Sequence, residues 1–176
     1  MTFKQRCLGT YRKILGIHCG VVVFAGFMCY TFFMENFSYI LPGSPYKEED
    51  VARMNALTLA YIGDAVYALS ARKYIVMHSG AKVGALHTCV NKMVNAKMQA
   101  EMYYVLEPML TEKERMVLHH GRNAKALHKA KNFSATDYKK ATAVEALLGY
   151  IYISGQTERL EQLLEKILDE TCRRLV

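Results

Sequence analysis

The amino-acid sequence predicts an all-α fold, a bundle of five or so helices in one domain. After residue 47, apolar residues recur at helical spacing, and no convincing run of alternating polar and apolar residues predicts a strand. Capping residues, glycine and proline mark the ends of the helices. The 176 residues, 52% of them apolar, suffice for one hydrophobic core.

Each predicted helix has a signal at one end or both. Proline cannot continue a helix, glycine favours helix C-termini, and Ser or Thr followed three residues later by an acid favours an N-terminus. In order, the predicted helices are 48–78, before Ser79 and Gly80; 82–107, before Pro108; 111–121, with a capping box of Thr111 and Glu114 and with Gly121 at its end; a helix capped by Ser134 and Asp137 that ends near Gly155; and a last helix capped by Thr157.

Two acids in otherwise apolar stretches are the strongest indication of chemistry. Asp64 lies within residues 59–67 and Glu145 within residues 143–150. Helical spacing places both on or beside stripes that would face the core. Burying an isolated carboxylate costs several kcal/mol, so each acid needs compensation. One interpretation is that each pairs with a Lys or Arg of a neighbouring helix.

Glycines near both acids favour a second interpretation. Gly63 precedes Asp64, and Gly149 follows Glu145 by one turn. Glycine inside a helix costs about 1 kcal/mol relative to alanine, so a reason such as close helix packing is expected. Close packing would bring the two carboxylates together. A shared Mg²⁺ would neutralise both, since carboxylate oxygens suit this cation.

The basic residues are unevenly distributed. The formal net charge is +7, but four positive charges fall in the first 34 residues, which contain no acid. Residues 113–140 carry eight Lys or Arg against two acids. Such a run is often only a solvated face. Beside a metal-binding acid pair, it favours a surface that follows the phosphates of a nucleic acid.

The cysteines argue against a zinc site, a disulfide-rich secreted protein and a thiol nucleophile. They show neither metal-ligand spacing nor a dense disulfide pattern, which fits a reducing cytosol best. The five are Cys7, Cys19, Cys29, Cys89 and Cys172.

The segments around the two acids resemble the ribonuclease III family. Residues 61–67, with their Gly-Asp-Ala-Val core, are similar to the family signature, and residues 144–149 are similar to its second acidic helix. The resemblance is strongest to Mini-ribonuclease III, the short bacterial form without an appended double-stranded RNA-binding domain. It covers residues 48–168, with further support from 121–125, 131–132 and 149–160.

This resemblance implies a ribonuclease III helical bundle that forms an obligate-type homodimer. It implies that Asp64 and Glu145 are catalytic and hold Mg²⁺, and that each active site cuts one strand of double-stranded RNA to leave 5′-phosphate and 3′-hydroxyl ends. The implied substrate is the precursor of large-subunit (23S) ribosomal RNA, with a ribosomal protein as a possible assistant. Candidates for contact with the RNA backbone are Lys97, Arg122, Lys125 and Lys131.

The chain departs from the wider family at two acidic positions. Ala60 and Thr142 stand where full-length enzymes carry further acids, and Ala68 replaces a frequent Glu. A noncatalytic ribonuclease III-like scaffold that binds RNA in a ribosomal particle is therefore the alternative. Retention of Asp64 and Glu145 argues against it, because a scaffold gains nothing from two costly acids.

The N-terminal segment conflicts with this assignment. Residues 14–34 are twenty-one residues without a charged side chain, preceded by four basic residues, as in a membrane anchor. The positive-inside rule would then place the rest of the chain outside the cell. We expect instead that residues 1–33 are translated upstream sequence, that Met34 is the native start, that 34–47 form a leader, and that 48–176 form a cytoplasmic catalytic domain without a membrane. An anchor over 14–34 is the rival interpretation.

Overall fold

A computed structural model describes residues 46–124 and 134–175 of the chain. Within them the fold is all-α, as predicted, and no helix is long and apolar enough to cross a membrane. The predictions for residues 1–33 and for most of the 34–47 leader lie outside the described residues. The helices are α1 (Glu48–Ala52), α2 (Ala56–His78), α3 (Val83–Met93), α4 (Ala96–Leu106), a 3-10 turn (Glu107–Met109), α5 (Glu112–Asn123), α6 (Ala135–Ile153) and α7 (Thr157–Leu175).

Two helices predicted as continuous are each divided by an asparagine. The predicted 48–78 helix breaks at Asn55, whose side chain accepts a hydrogen bond of 2.8 Å from the backbone N–H of Leu57. The predicted 82–107 helix breaks at Asn95, whose side chain accepts one of 2.9 Å from Met98 N–H. Asparagine is a favoured N-cap, so a local side-chain bond starts a new helix at each position.

The other predicted helix ends are partly confirmed. Thr111 and Glu114 form the reciprocal capping box at the start of α5, and the Ser134 side chain accepts from Asp137 N–H at the start of α6. Gly121, predicted as a helix end, lies inside α5, where the glycine serves packing instead: a Cβ there would lie 2.8 Å from the Cα of Ala143. Thr157, predicted as a cap, is the first residue of α7.

Helix α6 is the centre of the bundle, with α2, α4 and α5 packed around it. Every residue from 141 to 151 is buried except Glu145, which is half-buried. A helix that is buried on all sides shows no single apolar face. The position of Glu145 therefore puts a carboxylate at the one partly open point of the most buried segment of the described chain.

A buried ion pair joins α5 to α7. Arg159 donates from Nε and Nη2 to the two carboxylate oxygens of Glu114, at 2.7 and 2.9 Å. The Glu114 side chain is only 5% exposed, and the same carboxylate accepts from Thr111 N–H. The guanidinium and the cap lower the pKa of Glu114 against the opposing effect of burial. A bidentate ion pair of this kind fixes the angle between α5 and α7 as well as the distance between them.

Candidate active site at the crossing of α2 and α6

The site is built on a glycine-to-glycine contact between α2 and α6. A Cβ added to Gly63 would overlap the carbonyl oxygen of Glu145 and lie 2.8 Å from the backbone nitrogen of Gly149. A Cβ added to Gly149 would overlap the carbonyl oxygen of Leu59. The two helices therefore touch through their backbones, which confirms the close approach predicted from these glycines.

This contact brings together the two acids predicted from the sequence. Asp64 follows Gly63 directly on α2, and Glu145 contributes the carbonyl that lies against Gly63 on α6. The two side chains are close enough for the negative charge of Asp64 to raise the pKa of the Glu145 carboxyl. The matched setting of acid and glycine in the two helices is thus the feature that forms the pair.

The burial predicted for Asp64 is wrong, whereas Glu145 is half-buried. Asp64 is exposed because the side of α2 that carries it does not face α6. Its neighbour Tyr61 is 79% exposed, and Ala65 is exposed as well. The pair therefore consists of one acid open to solvent and one acid set into the bundle.

The Glu145 carboxyl has a strongly perturbed pKa. Burial and, to a smaller extent, the negative charge of Asp64 raise the pKa of Glu145 from 4.5 to about 7, against the opposing effect of a hydrogen bond from Gln99. A carboxylate pair with one raised pKa is typical of functional sites. A cation bound beside Glu145 would relieve both the burial of its charge and the repulsion from Asp64.

Gln99 belongs to this site, although the sequence analysis did not identify it. It lies on α4, is 2% exposed, and reaches Glu145 with its side chain. Its signal in the sequence is weak: a glutamine at helical spacing with Met102, Tyr103 and Leu106, all of which face the core. A polar residue in an apolar stripe has many explanations, and the position of its partner is known only from the fold.

The donor set suits a hard divalent cation. Two carboxylates close enough to repel each other are matched by a doubly charged ion, and oxygen ligands favour magnesium. Within residues 46–124 and 134–175, no cluster of three or more His, Cys, Asp or Glu could hold a metal. The side chain of Gln99 is hydrogen-bonded to Glu145, and its buried Oε1 finds no partner among the described residues, which leaves one more oxygen free to accept a hydrogen bond. The residues thus fit a magnesium ion that keeps much of its hydration shell.

The predicted RNA-contacting residues differ in their surroundings. Lys97 is exposed on α4, two residues before Gln99. Arg122 is half-buried. Its guanidinium donates a hydrogen bond of 3.0 Å to the hydroxyl of Tyr103 and lies over the ring of the same residue. The predictions for Lys125 and Lys131 lie outside the described residues. The contact with Tyr103 gives Arg122 a role in packing α5 against α4 in addition to the predicted one.

Comparisons with known proteins identify the family of this chain. The family model for the ribonuclease III domain matches residues 57–156, which include both acids and both crossing glycines. The chain is similar to the Mini-ribonuclease 3 of Brevibacillus brevis, with 42% identity over 68% of this chain and 92% of the relative. It is also similar to that of Staphylococcus aureus, with 41% identity over 69% and 92%.

A solved structure gives the same result for the fold. The crystal structure of a protein from Fusobacterium nucleatum superposes with a TM-score of 0.62 and 28% identity, and covers 71% of this chain and 98% of that protein. The chain therefore belongs to the ribonuclease III family, in its Mini-ribonuclease III branch, and is an endoribonuclease.

Proposed function

We propose that this endoribonuclease is magnesium-dependent and cleaves double-stranded RNA at a site formed by Asp64 and Glu145. The observation that carries the proposal is the glycine crossing, which holds one carboxylate from α2 and one from α6 at a single place. A backbone contact fixes this arrangement more firmly than flexible side chains could. The substrate proposed for it is the precursor of 23S ribosomal RNA, processed in the cytoplasm, with a ribosomal protein as a possible assistant.

The two acids have different tasks. Asp64 is exposed, so a phosphate of the RNA backbone can approach it. Glu145 is half-buried, hydrogen-bonded by Gln99 and unable to move far. Together they would hold a magnesium ion, which would lower the pKa of a bound water and stabilise negative charge on the phosphate. Hydrolysis would join the oxygen of a water to phosphorus and break the bond from phosphorus to the 3′-oxygen, which takes up a proton, so the products would carry a 5′-phosphate and a 3′-hydroxyl.

We expect the surface of this domain to make ionic contact with the RNA backbone. Lys97 and Arg122 are the described candidates, and Lys125 and Lys131 remain candidates by sequence. Neutralising phosphates releases counterions, so the affinity for duplex RNA should fall by orders of magnitude as salt rises from ~50 to ~200 mM. An affinity that stays flat over this range would contradict binding through these residues.

An exposed apolar stripe on α2 supports the proposal of a homodimer. Tyr61, Leu69 and Val76 are 79%, 67% and 59% exposed and follow one another at helical spacing, with Ala65 between them. Contiguous exposed apolar residues of this kind mark interaction surfaces. In sedimentation experiments we expect Leu69→Glu to give monomers, while Met116→Glu, at a position 59% exposed on α5, leaves the dimer intact. A monomeric wild type, or a dimeric Leu69→Glu, would refute this surface.

The decisive experiment is cleavage of a labelled duplex taken from a ribosomal-precursor stem. Wild type should cut it with magnesium and not with EDTA. Asp64→Asn and Glu145→Gln, which keep side-chain size and remove charge, should abolish cutting while leaving the fold intact. Glu165→Gln, which removes an exposed acid of α7, is the matched control and should cut like wild type. Cutting by either site variant at the wild-type rate would refute the assignment.

A further inference from the structure

Gln99 makes an incomplete set of hydrogen bonds at the proposed active site. Its Nε2 donates a hydrogen bond of 3.3 Å to the carbonyl oxygen of Val94, the residue that follows the end of α3. Its side chain also bonds to the Glu145 carboxylate and favours the charged form, so Gln99 is the donor there too. Its Oε1 is buried and has no partner in the part of the chain that the structure describes.

The orientation of the Gln99 amide follows from its partners. Val94 and Glu145 both present acceptors, and a carboxamide has two N–H donors on one side and a carbonyl on the other. Rotating the amide by half a turn would face oxygen against oxygen at both contacts. The two donors are therefore used, and the unpaired group is the acceptor Oε1.

A buried acceptor without a donor is unusual and calls for a partner. Leaving such a group unsatisfied costs on the order of 1–3 kcal/mol, and the large majority of buried side-chain polar atoms are paired. The missing partner must donate a hydrogen bond and fit beside Glu145. Water in the hydration shell of Mg²⁺ directs its oxygen to the cation and both hydrogens outward, and Mg²⁺ usually keeps several such waters.

We propose that Gln99 is a positioning residue of the metal site, and that its Oε1 accepts a hydrogen bond from a water in the hydration shell of the magnesium held by Asp64 and Glu145. The inference rests on the proposed function, since it assumes the acid pair binds the ion. An amide oxygen from α4 would then act beside the two carboxylates from α2 and α6. Three helices, rather than two, then define the position of the cation.

Metal affinity measured without RNA tests this inference apart from activity. Mn²⁺ is titrated into the full chain at pH 8, with free Mn²⁺ followed by electron paramagnetic resonance. Gln99→Met keeps the length of the side chain and removes both polar groups, so we expect the Kd for Mn²⁺ to rise about 10- to 100-fold, as for other outer-shell partners. Gln99→Glu, nearly isosteric and negatively charged, should bind Mn²⁺ more tightly than wild type.

The outcomes separate the two proposals. If wild type fails to bind Mn²⁺, or if Asp64→Asn binds it equally well, the proposed metal site itself is wrong. If Asp64→Asn loses affinity but Gln99→Met stays within twofold of wild type, only the role of Gln99 is wrong, and an ordinary water pairs with Oε1. Circular dichroism and melting in EDTA check each fold. Should Gln99→Met fail to fold, Gln99→Glu decides, and affinity equal to or weaker than wild type overturns the inference.

Discussion

Adding one methyl group at the crossing of α2 and α6 should destabilise the fold. In Gly63→Ala the new Cβ would overlap the carbonyl oxygen of Glu145, and Gly149 N would be 2.8 Å away. Both contacts are to backbone, so no side chain can rotate to make room. The helices must separate, and overpacking of this kind costs about 3 kcal/mol.

The helical preference of alanine offsets part of that cost. Alanine in place of glycine favours a helix by about 1 kcal/mol, which leaves a net loss of about 2 kcal/mol in the free energy of unfolding. For a domain of this size the loss lowers Tm by roughly 8 °C. Separation of the helices also moves Asp64 away from Glu145, so Mn²⁺ affinity should fall together with stability.

A matched glycine provides the control. Gly84 lies in α3, and a Cβ added there meets nothing within 4 Å. Gly84→Ala should therefore equal wild type or be more stable by up to about 1 kcal/mol. Urea denaturation compares wild type, Gly63→Ala and Gly84→Ala. All three are measured at one protein concentration, because subunit association would alter the apparent stability. A Gly63→Ala chain at least as stable as wild type would refute the backbone contact.

Three further predictions concern the rest of the bundle. Arg159→Met should lower the free energy of unfolding by about 3 kcal/mol in urea denaturation, because it leaves the Glu114 carboxylate buried without its cation. The control Arg173→Met, at a side chain that is 71% exposed, should change the free energy of unfolding by close to nothing. Equal effects of the two substitutions would contradict the buried pair. Thr111→Ala removes the capping hydroxyl of α5 and should lower the free energy of unfolding by about 1 kcal/mol, and an unchanged value would show that the cap contributes nothing. The third prediction concerns pH: the folded-state pKa of Glu145 is raised from 4.5 to about 7, so its neutral form stabilises the fold at low pH and that stabilisation is lost as pH rises through 7. In EDTA, the Tm of Glu145→Gln relative to wild type should therefore increase between pH 5 and pH 8, and a difference that does not change with pH would contradict the raised pKa.

Local signals made much of the fold predictable. The capping boxes and caps at Thr111 and Ser134 involve residues three apart, so their sequence pattern already contains the bond. Asn55 and Asn95 form equally local caps, yet a polar residue in a long helical pattern is easily taken for a surface position. The all-α class was therefore predicted correctly, but two pairs of separate helices were each predicted as one continuous helix.

Tertiary contacts explain what could not be predicted at the site. Helix α2 has apolar residues on the face toward α6 and also on the exposed stripe of Tyr61 and Leu69, so periodicity could not show which side Asp64 occupies. The glycines made the crossing predictable, because helices whose backbones touch need residues without a side chain at the contact. The hydrogen bond from Gln99 and the pairing of Arg159 with Glu114 could not be predicted in this way. A glutamine or an arginine in the sequence does not indicate which distant residue is its partner.

The glycine crossing also affects when activity can appear during folding. Gly63 and Gly149 are more than eighty residues apart in the chain, so the contact closes a long loop and belongs to the slow, non-local part of folding. During synthesis, α2 leaves the ribosome well before α6 exists. A nascent or partly folded chain therefore carries the two acids of the proposed active site apart, and we expect no cleavage of RNA around the ribosome until α6 has packed against α2.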